Sequence, residues 1–254
     1  MLHIRSIIGF LWIALIWWIL SVTFGSDSGY NVNPIEVALE LVQWIHNSFL
    51  LDVFITLFRV YIGVTIGILL GVPVGLITGR NKMFDFHVGS ALNLLRSVTP
   101  VALAPFFVIW FGVNETAKLL LIAWGSFFPI WLATHIGVRH INQTHLNAAV
   151  MLGFKRIRTI ISVEFPSALP FTVSGIRTSI AIGFILVFIS ETLGASSGVG
   201  FRLSQAYDLF DVERMAASLV VLGILGVISD QLFIIFVKKV FPWLPSNMLM
   251  IKNI

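Results

Sequence analysis

Apolar runs long enough to cross a bilayer recur along this chain of 254 residues, and no other feature constrains its fold as tightly. A helix rises 1.5 Å per residue, so about 20 apolar residues span a hydrocarbon layer of ~30 Å. Six such runs are expected, at approximately 7–24, 53–78, 88–111, 119–136, 168–192 and 215–237. They are continuous rather than alternating, which excludes a transmembrane β-barrel. The expected fold class is therefore all-α, a polytopic transmembrane bundle over 1–254 with no separate soluble domain. Charged residues make up 11% of the chain, against about 25% in a soluble domain. The first run follows His3 and Arg5 but lacks a small-x-small cleavage site, so it reads as a membrane helix rather than a signal peptide.

Charge sets the orientation. With the N-terminus inside, Arg5, Arg80, Lys82, Arg139, Lys155, Arg156, Arg158, Lys238, Lys239 and Lys252 fall on the inner side, and only Lys118, Arg202 and Arg214 fall outside. That follows the positive-inside rule and predicts that both termini are cytoplasmic. The net charge of +4 then reflects the anionic inner leaflet, and with no basic soluble module nucleic-acid binding is excluded. In the first outer loop, Asn33-Pro34 opens a short helix with acids in its first turns, expected at the outer surface.

Other positions carry chemistry or packing. Gly63, Gly67, Gly71, Gly75 and Gly79 repeat every four residues, which leaves one helix face nearly bare for close packing. Packing inside the chain's own bundle is the expected use, with a subunit interface as the alternative. Pro73 should kink that helix. Pro100, Pro105 and Gly112 break the third span, and with Arg96, Ser97 and Thr99 nearby this break is expected to line a solute path. Arg59, Arg96, Arg177 and Asp230 lie within apolar runs, where each charge costs roughly 2.5–3.5 kcal/mol. Three arginines against one acid leave unpaired positive charge, which would suit an anionic solute. Snorkelling is the plainer reading for Arg59 and Arg96. Arg177 sits deeper, ~14 Å into its helix, with Asp230 as a possible partner. Glu191 completes the candidate path set of Arg59, Arg96, Thr99, Pro100 and Arg177. The glycine-rich stretch from Gly194 to Gly200 resembles a phosphate loop in composition only, and no G-x-x-x-x-G-K-[ST] occurs. His135, His140 and His145 are spaced five apart and do not share a helix face, and cysteine is absent, so no metal site is expected. No catalytic constellation is present, so the chain is not expected to be an enzyme.

The inner loop, 137–166, holds the amphipathic, basic segment NAAVMLGFKRIRTIISVEFP, with Pro166 read as its stop. It resembles the EAA signature of binding-protein-dependent ABC importer permeases: E-A-A, three residues, Gly, nine residues, I-x-L-P. Here the motif reads Asn147-Ala148-Ala149, Gly153 and Val163-Glu164-Phe165-Pro166, with Asn147 in place of the usual acid and Phe165 in place of Leu. The stretches 102–130, 57–79 and 191–201 are similar to the sulfonate, taurine, nitrate and bicarbonate branch of these permeases. The match looks closest to aliphatic-sulfonate permeases and extends over roughly 52–243. The resemblance implies a type I importer fold and a homodimer in the bacterial cytoplasmic membrane. Two ATPase subunits would dock on the elbows, and an extracytoplasmic binding protein would deliver the solute. Asn147, Ala148, Ala149, Gly153, Lys155, Arg156 and Pro166 are then the coupling residues. This chain would bind no cofactor, ATP and magnesium belonging to the partner ATPases. The cargo expected is a small anion such as a sulfonate or taurine. The alternatives are nitrate, bicarbonate or a pyrimidine precursor on the same scaffold and, more distantly, an ion-coupled secondary carrier.

Overall fold

The computed structural model describes residues 33–46 and 48–244, together with Trp12, Ile16 and Trp18. The rest of the expected first span, 7–24, and both termini lie outside the described residues. The described helices are α1 (Pro34–His46), α2 (Phe49–Arg80), α3 (Lys82–Arg96), α4 (Pro100–Phe111), α5 (Glu115–Arg139), α6 (Gln143–Met151), α7 (Arg156–Thr192), α8 (Val199–Asp208) and α9 (Val212–Val240). Of these, α2, α5, α7 and α9 are each long and apolar enough to cross a membrane.

The expected third span is not one helix. It divides into α3 and α4, which meet at a bend of 95°. Pro100 causes the break: its ring disfavours helical backbone at Thr99, which is extended at φ −63° and ψ 120°. The fifth span differs in the other direction. Pro166 was expected to end the elbow, yet α7 runs through it. Its missing N–H is absorbed by a wide turn at Ile160–Glu164, where the Phe165 amide reaches back five residues to the Ile160 carbonyl.

The glycine row of α2 seats directly on α5. A Cβ built on Gly63, Gly67, Gly71, Gly75 or Gly79 would lie 2.5 to 3.1 Å from Ile122, Ser126, Ile130, Thr134 and Val138 respectively. Both rows repeat every four residues, so the two helices stay in register over five contacts, and the bare face is spent inside this chain. Helix α7 docks on an adjoining face of α5 by the same means, with Gly175 facing the Pro129 carbonyl. Without a hydrophobic drive between helices in lipid, such close approach supplies the dispersion contacts that hold them. Buried hydroxyls add hydrogen bonds: Trp131 Nε1 donates to Thr78 Oγ1 at 3.0 Å, and Ser179 Oγ to the Ser126 carbonyl at 2.8 Å. Val60, Val64, Ile122, Phe184, Leu186 and Val187 form the main apolar core between α2, α5 and α7.

Candidate functional site

The bundle has two chemically distinct ends. At the elbow end, α6 is capped by Asn142, whose side chain accepts from the Thr144 amide at 3.0 Å. It closes in a Schellman turn: the Phe154 amide donates to the Ala149 carbonyl at 3.0 Å and the Gly153 amide to the Val150 carbonyl at 2.9 Å. Gly153 stands at φ +71°, the left-handed conformation this turn requires. The glycine of the signature, expected as a coupling residue, is thus constrained first by its own backbone. An added side chain would meet nothing within 4 Å. The turn leaves Val150, Met151 and Leu152 as an exposed apolar knob, with Met151 89% accessible. Ala149 is buried, whereas Asn147, Ala148, Lys155 and Arg156 are exposed. Arg158 lies over the Phe154 ring at 4.4 Å. Behind the knob, Arg80 of α2 pairs with the buried Glu164 of α7, and Arg139 of α5 pairs with Asp85 of α3 at 2.7 Å.

The opposite end is held by a network built on Arg59 of α2, which is 2% exposed. Its Nε and Nη2 donate to both oxygens of Glu115 at 2.7 and 2.6 Å, and its Nη1 donates to Glu191 Oε1 and the Ser197 carbonyl, each at 2.8 Å. Glu191 also accepts from Thr56 Oγ1 at 2.9 Å and from the Gly200 amide at 2.7 Å. Asp52 accepts from the Gly198 amide at 3.0 Å and from Arg202 Nε at 2.8 Å. The glycine-rich loop thus points its amides at anions, as its composition hints, but the anions are the chain's own carboxylates. Gly198 is at φ +119°, and a Cβ there would lie 2.5 Å from the Glu191 carboxylate.

This pairing corrects the expectation of unpaired positive charge. Arg59 is shared between two carboxylates, and Arg177 pairs with Asp230 of α9 at 2.5 and 2.6 Å. Arg59 and Glu191 clamp α2, α5 and α7 to one another in this arrangement. Arg96 and Thr99 are exposed beside Pro100 at the α3–α4 bend. No group of three or more metal-binding side chains is gathered among the described residues.

Four helices long and apolar enough to cross a membrane, with glycine-packed contacts among them and a bent pair beside them, mark a multi-pass membrane protein. The chain belongs to the family described as the binding-protein-dependent transport system inner membrane component, whose profile matches residues 63–242. It is 31% identical over 189 residues to a putative aliphatic sulfonates transport permease protein of Bacillus subtilis, covering 74% of this chain and 68% of that protein. It is 28% identical over 188 residues to the taurine transport system permease protein of Escherichia coli, covering 74% and 68%. The fold is similar to a chain of the MetNI methionine ABC transporter, solved in inward-facing conformations. The TM-score is 0.66 at 22% identity, over 76% of this chain and 95% of that one. The chain is thus a permease subunit of an ABC importer, in the branch that contains the sulfonate and taurine permeases.

Proposed function

We propose that this chain forms the membrane path of an ATP-driven importer for a small anionic solute, an aliphatic sulfonate or taurine. It works as a homodimer with two ATPase subunits and an extracytoplasmic binding protein. The observation that carries the reading is the elbow. Its Schellman turn projects three apolar side chains away from the bundle at the most basic end of the molecule. Arg80, Lys82, Arg139, Lys155, Arg156, Arg158, Lys238 and Lys239 gather at that end, which by the positive-inside rule supports a cytoplasmic position, where ATP is. An apolar knob with a basic surround fits a groove on an ATPase. Asn147, Ala148, Ala149, Gly153, Lys155, Arg156 and Pro166 shape or flank that contact. Nucleotide-driven closure of the ATPases would move the elbow, and α7, continuous with it, would carry the motion across the membrane.

The solute assignment rests on the named relatives, since Arg59 and Arg177 are both neutralised. Arg96, Thr99 and Pro100 at the exposed bend are the proposed path residues, and the Arg177–Asp230 pair ties α7 to α9. The test is gentle purification from the native membrane followed by mass spectrometry of co-purifying proteins. A stoichiometric ATPase that is lost from Met151→Glu supports the reading. A homomer without an ATPase, even after crosslinking at Lys155, overturns it and favours an ion-coupled carrier.

A further inference from the structure

At the network end, α1, α8 and the start of α9 enclose a cavity of about 660 Å³ that the transport reading does not use. Its wall carries both signs of charge: Arg202 and Arg214 beside Asp208 and Glu40. Both arginines are ion-paired, yet each keeps N–H groups with no acceptor among the described residues. Arg202 gives Nε to Asp52 and one terminal nitrogen to Ser48, and Arg214 gives only Nε, to Glu40 at 3.3 Å and Asp211 at 3.1 Å. Asp208 and the amides of Gln43 and Gln205 have no protein partner among the described residues. A guanidinium with unspent N–H groups recognises a tetrahedral oxyanion, and a carboxylate close by recognises an ammonium. The wall therefore matches a zwitterion and would leave a simple anion's site half repulsive.

The surroundings indicate where such a zwitterion comes from. Helix α1 turns Ile35, Leu39 and Ile45 outward, all more than half exposed, on one face. Leu209 and Phe210 project at the rim of the cavity, 70% and 71% exposed. Phe210 holds φ +55°, a left-handed backbone that an aromatic residue rarely adopts. Apolar faces flanking a charged cavity suit the headgroup boundary of a bilayer. Its volume also exceeds that of a free two-carbon zwitterion and leaves room for glycerol.

We propose that this cavity binds the headgroup of an aminophospholipid, with phosphate on Arg202 and Arg214 and ammonium on Asp208. The same chemistry exists free as 2-aminoethylsulfonate. The proposal depends on the importer reading only for the leaflet that supplies the lipid, and its test needs no transport. Purified protein in nanodiscs with equal phosphatidylethanolamine and phosphatidylglycerol is released and its retained lipid read by native mass spectrometry. The expected result is a three- to fivefold preference for phosphatidylethanolamine, about the worth of one partly exposed ion pair. Asp208→Asn should erase that preference while total lipid stays, and Arg214→Gln should lower retention of both lipids. Equal retention of the two lipids by the unmodified protein overturns the proposal. Displacement of the lipid by millimolar 2-aminoethylsulfonate would overturn the lipid source and give the site to the free solute, whereas persistence of the lipid confirms the headgroup.

Discussion

Removing Arg59 should be the most damaging single truncation at the network end, and the structure divides its cost. The guanidinium makes four hydrogen bonds: two to Glu115, one to Glu191 and one to the Ser197 carbonyl. The Glu115 half is cheap to lose, because that side chain is 54% exposed and keeps Lys118 at 3.0 Å. Exposed pairs are worth about 0–1 kcal/mol. Glu191 is 0% exposed, and without Arg59 it keeps only the Thr56 hydroxyl and the Gly200 amide. Stranding one member of a buried pair costs about 3–5 kcal/mol, most of it the uncompensated charge. Arg59→Met should therefore lose about that much. Arg59→Met with Glu191→Gln should recover at least half, because the charge is gone and an amide oxygen still accepts from Thr56. Denaturation in mixed micelles, followed by tryptophan fluorescence across the full double-mutant cycle, gives the coupling. If the single variant loses under about 1 kcal/mol, or the double variant loses the sum of both singles, the clamp is not what the geometry says.

Three further outcomes are expected. Gly75→Leu should separate α2 from α5, since its Cβ alone would sit 2.8 Å from the Trp131 carbonyl and 2.6 Å from Thr134, whereas Gly223→Leu, with nothing within 4 Å, should be tolerated. The midpoint of thermal aggregation in detergent checks this, and equal midpoints for the two variants would refute the suture. Phe210→Gly should raise stability by up to about 1 kcal/mol by relieving the left-handed backbone, read as an upward shift of the same midpoint. Asp230→Asn should weaken its hold on Arg177 and reduce uptake more than it reduces membrane insertion; unchanged uptake would leave the pair a purely structural role.

The sequence revealed what repeats and hid what does not. A four-residue glycine period can only be a bare helix face, so the α2 suture was legible, and its partner row on α5, Ile122 to Val138, has the same period. The elbow was legible from spacing, but the reason for Gly153 was not, because a left-handed turn residue and a small contact residue look alike in one letter. Pro100 signalled a break, whereas Pro105, also expected to break the span, lies inside the continuous α4; the 95° angle between α3 and α4 depends on how Thr99 is extended and on what each half packs against. The charges were misjudged for a different reason. Arg59 and Glu191 are 132 residues apart, and no periodicity links them. Counting arginines against acids within apolar runs left out Glu115, just before the fourth run, and Glu191, at the end of the fifth, although Glu191 stood in the candidate path set.

Placing the clamps beside the sutures separates transmission from docking. Helices α2, α5 and α7 are sutured along their lengths, pinned at one end by Arg59 and tied at the other by Arg80 to Glu164 and, through Asp85 of α3, by Arg139. A body fixed at both ends moves as one piece, because packed cores shift between discrete arrangements rather than bending continuously. Only α6 lies between Arg139 and the start of α7, so a push on the knob reaches the bundle through the turns at 140–142 and 152–155 and through the Glu164 contact. Glu164 sits in the wide turn of α7, buried at 3%, and one of its oxygens has no partner among the described residues. Glu164→Gln keeps the shape and removes the charge that holds Arg80. Since Val150, Met151 and Leu152 are untouched, the variant should recover the ATPase in full, and ATP hydrolysis should continue. Uptake per ATP hydrolysed should fall, because the wide turn of α7 can now yield at the elbow end without drawing Arg80 and α2 with it. Measuring both rates on the reconstituted complex decides the point. Uptake and hydrolysis that fall together would mean that the elbow acts by docking alone, and an unchanged ratio at full rate would mean that the Arg80 tie transmits nothing.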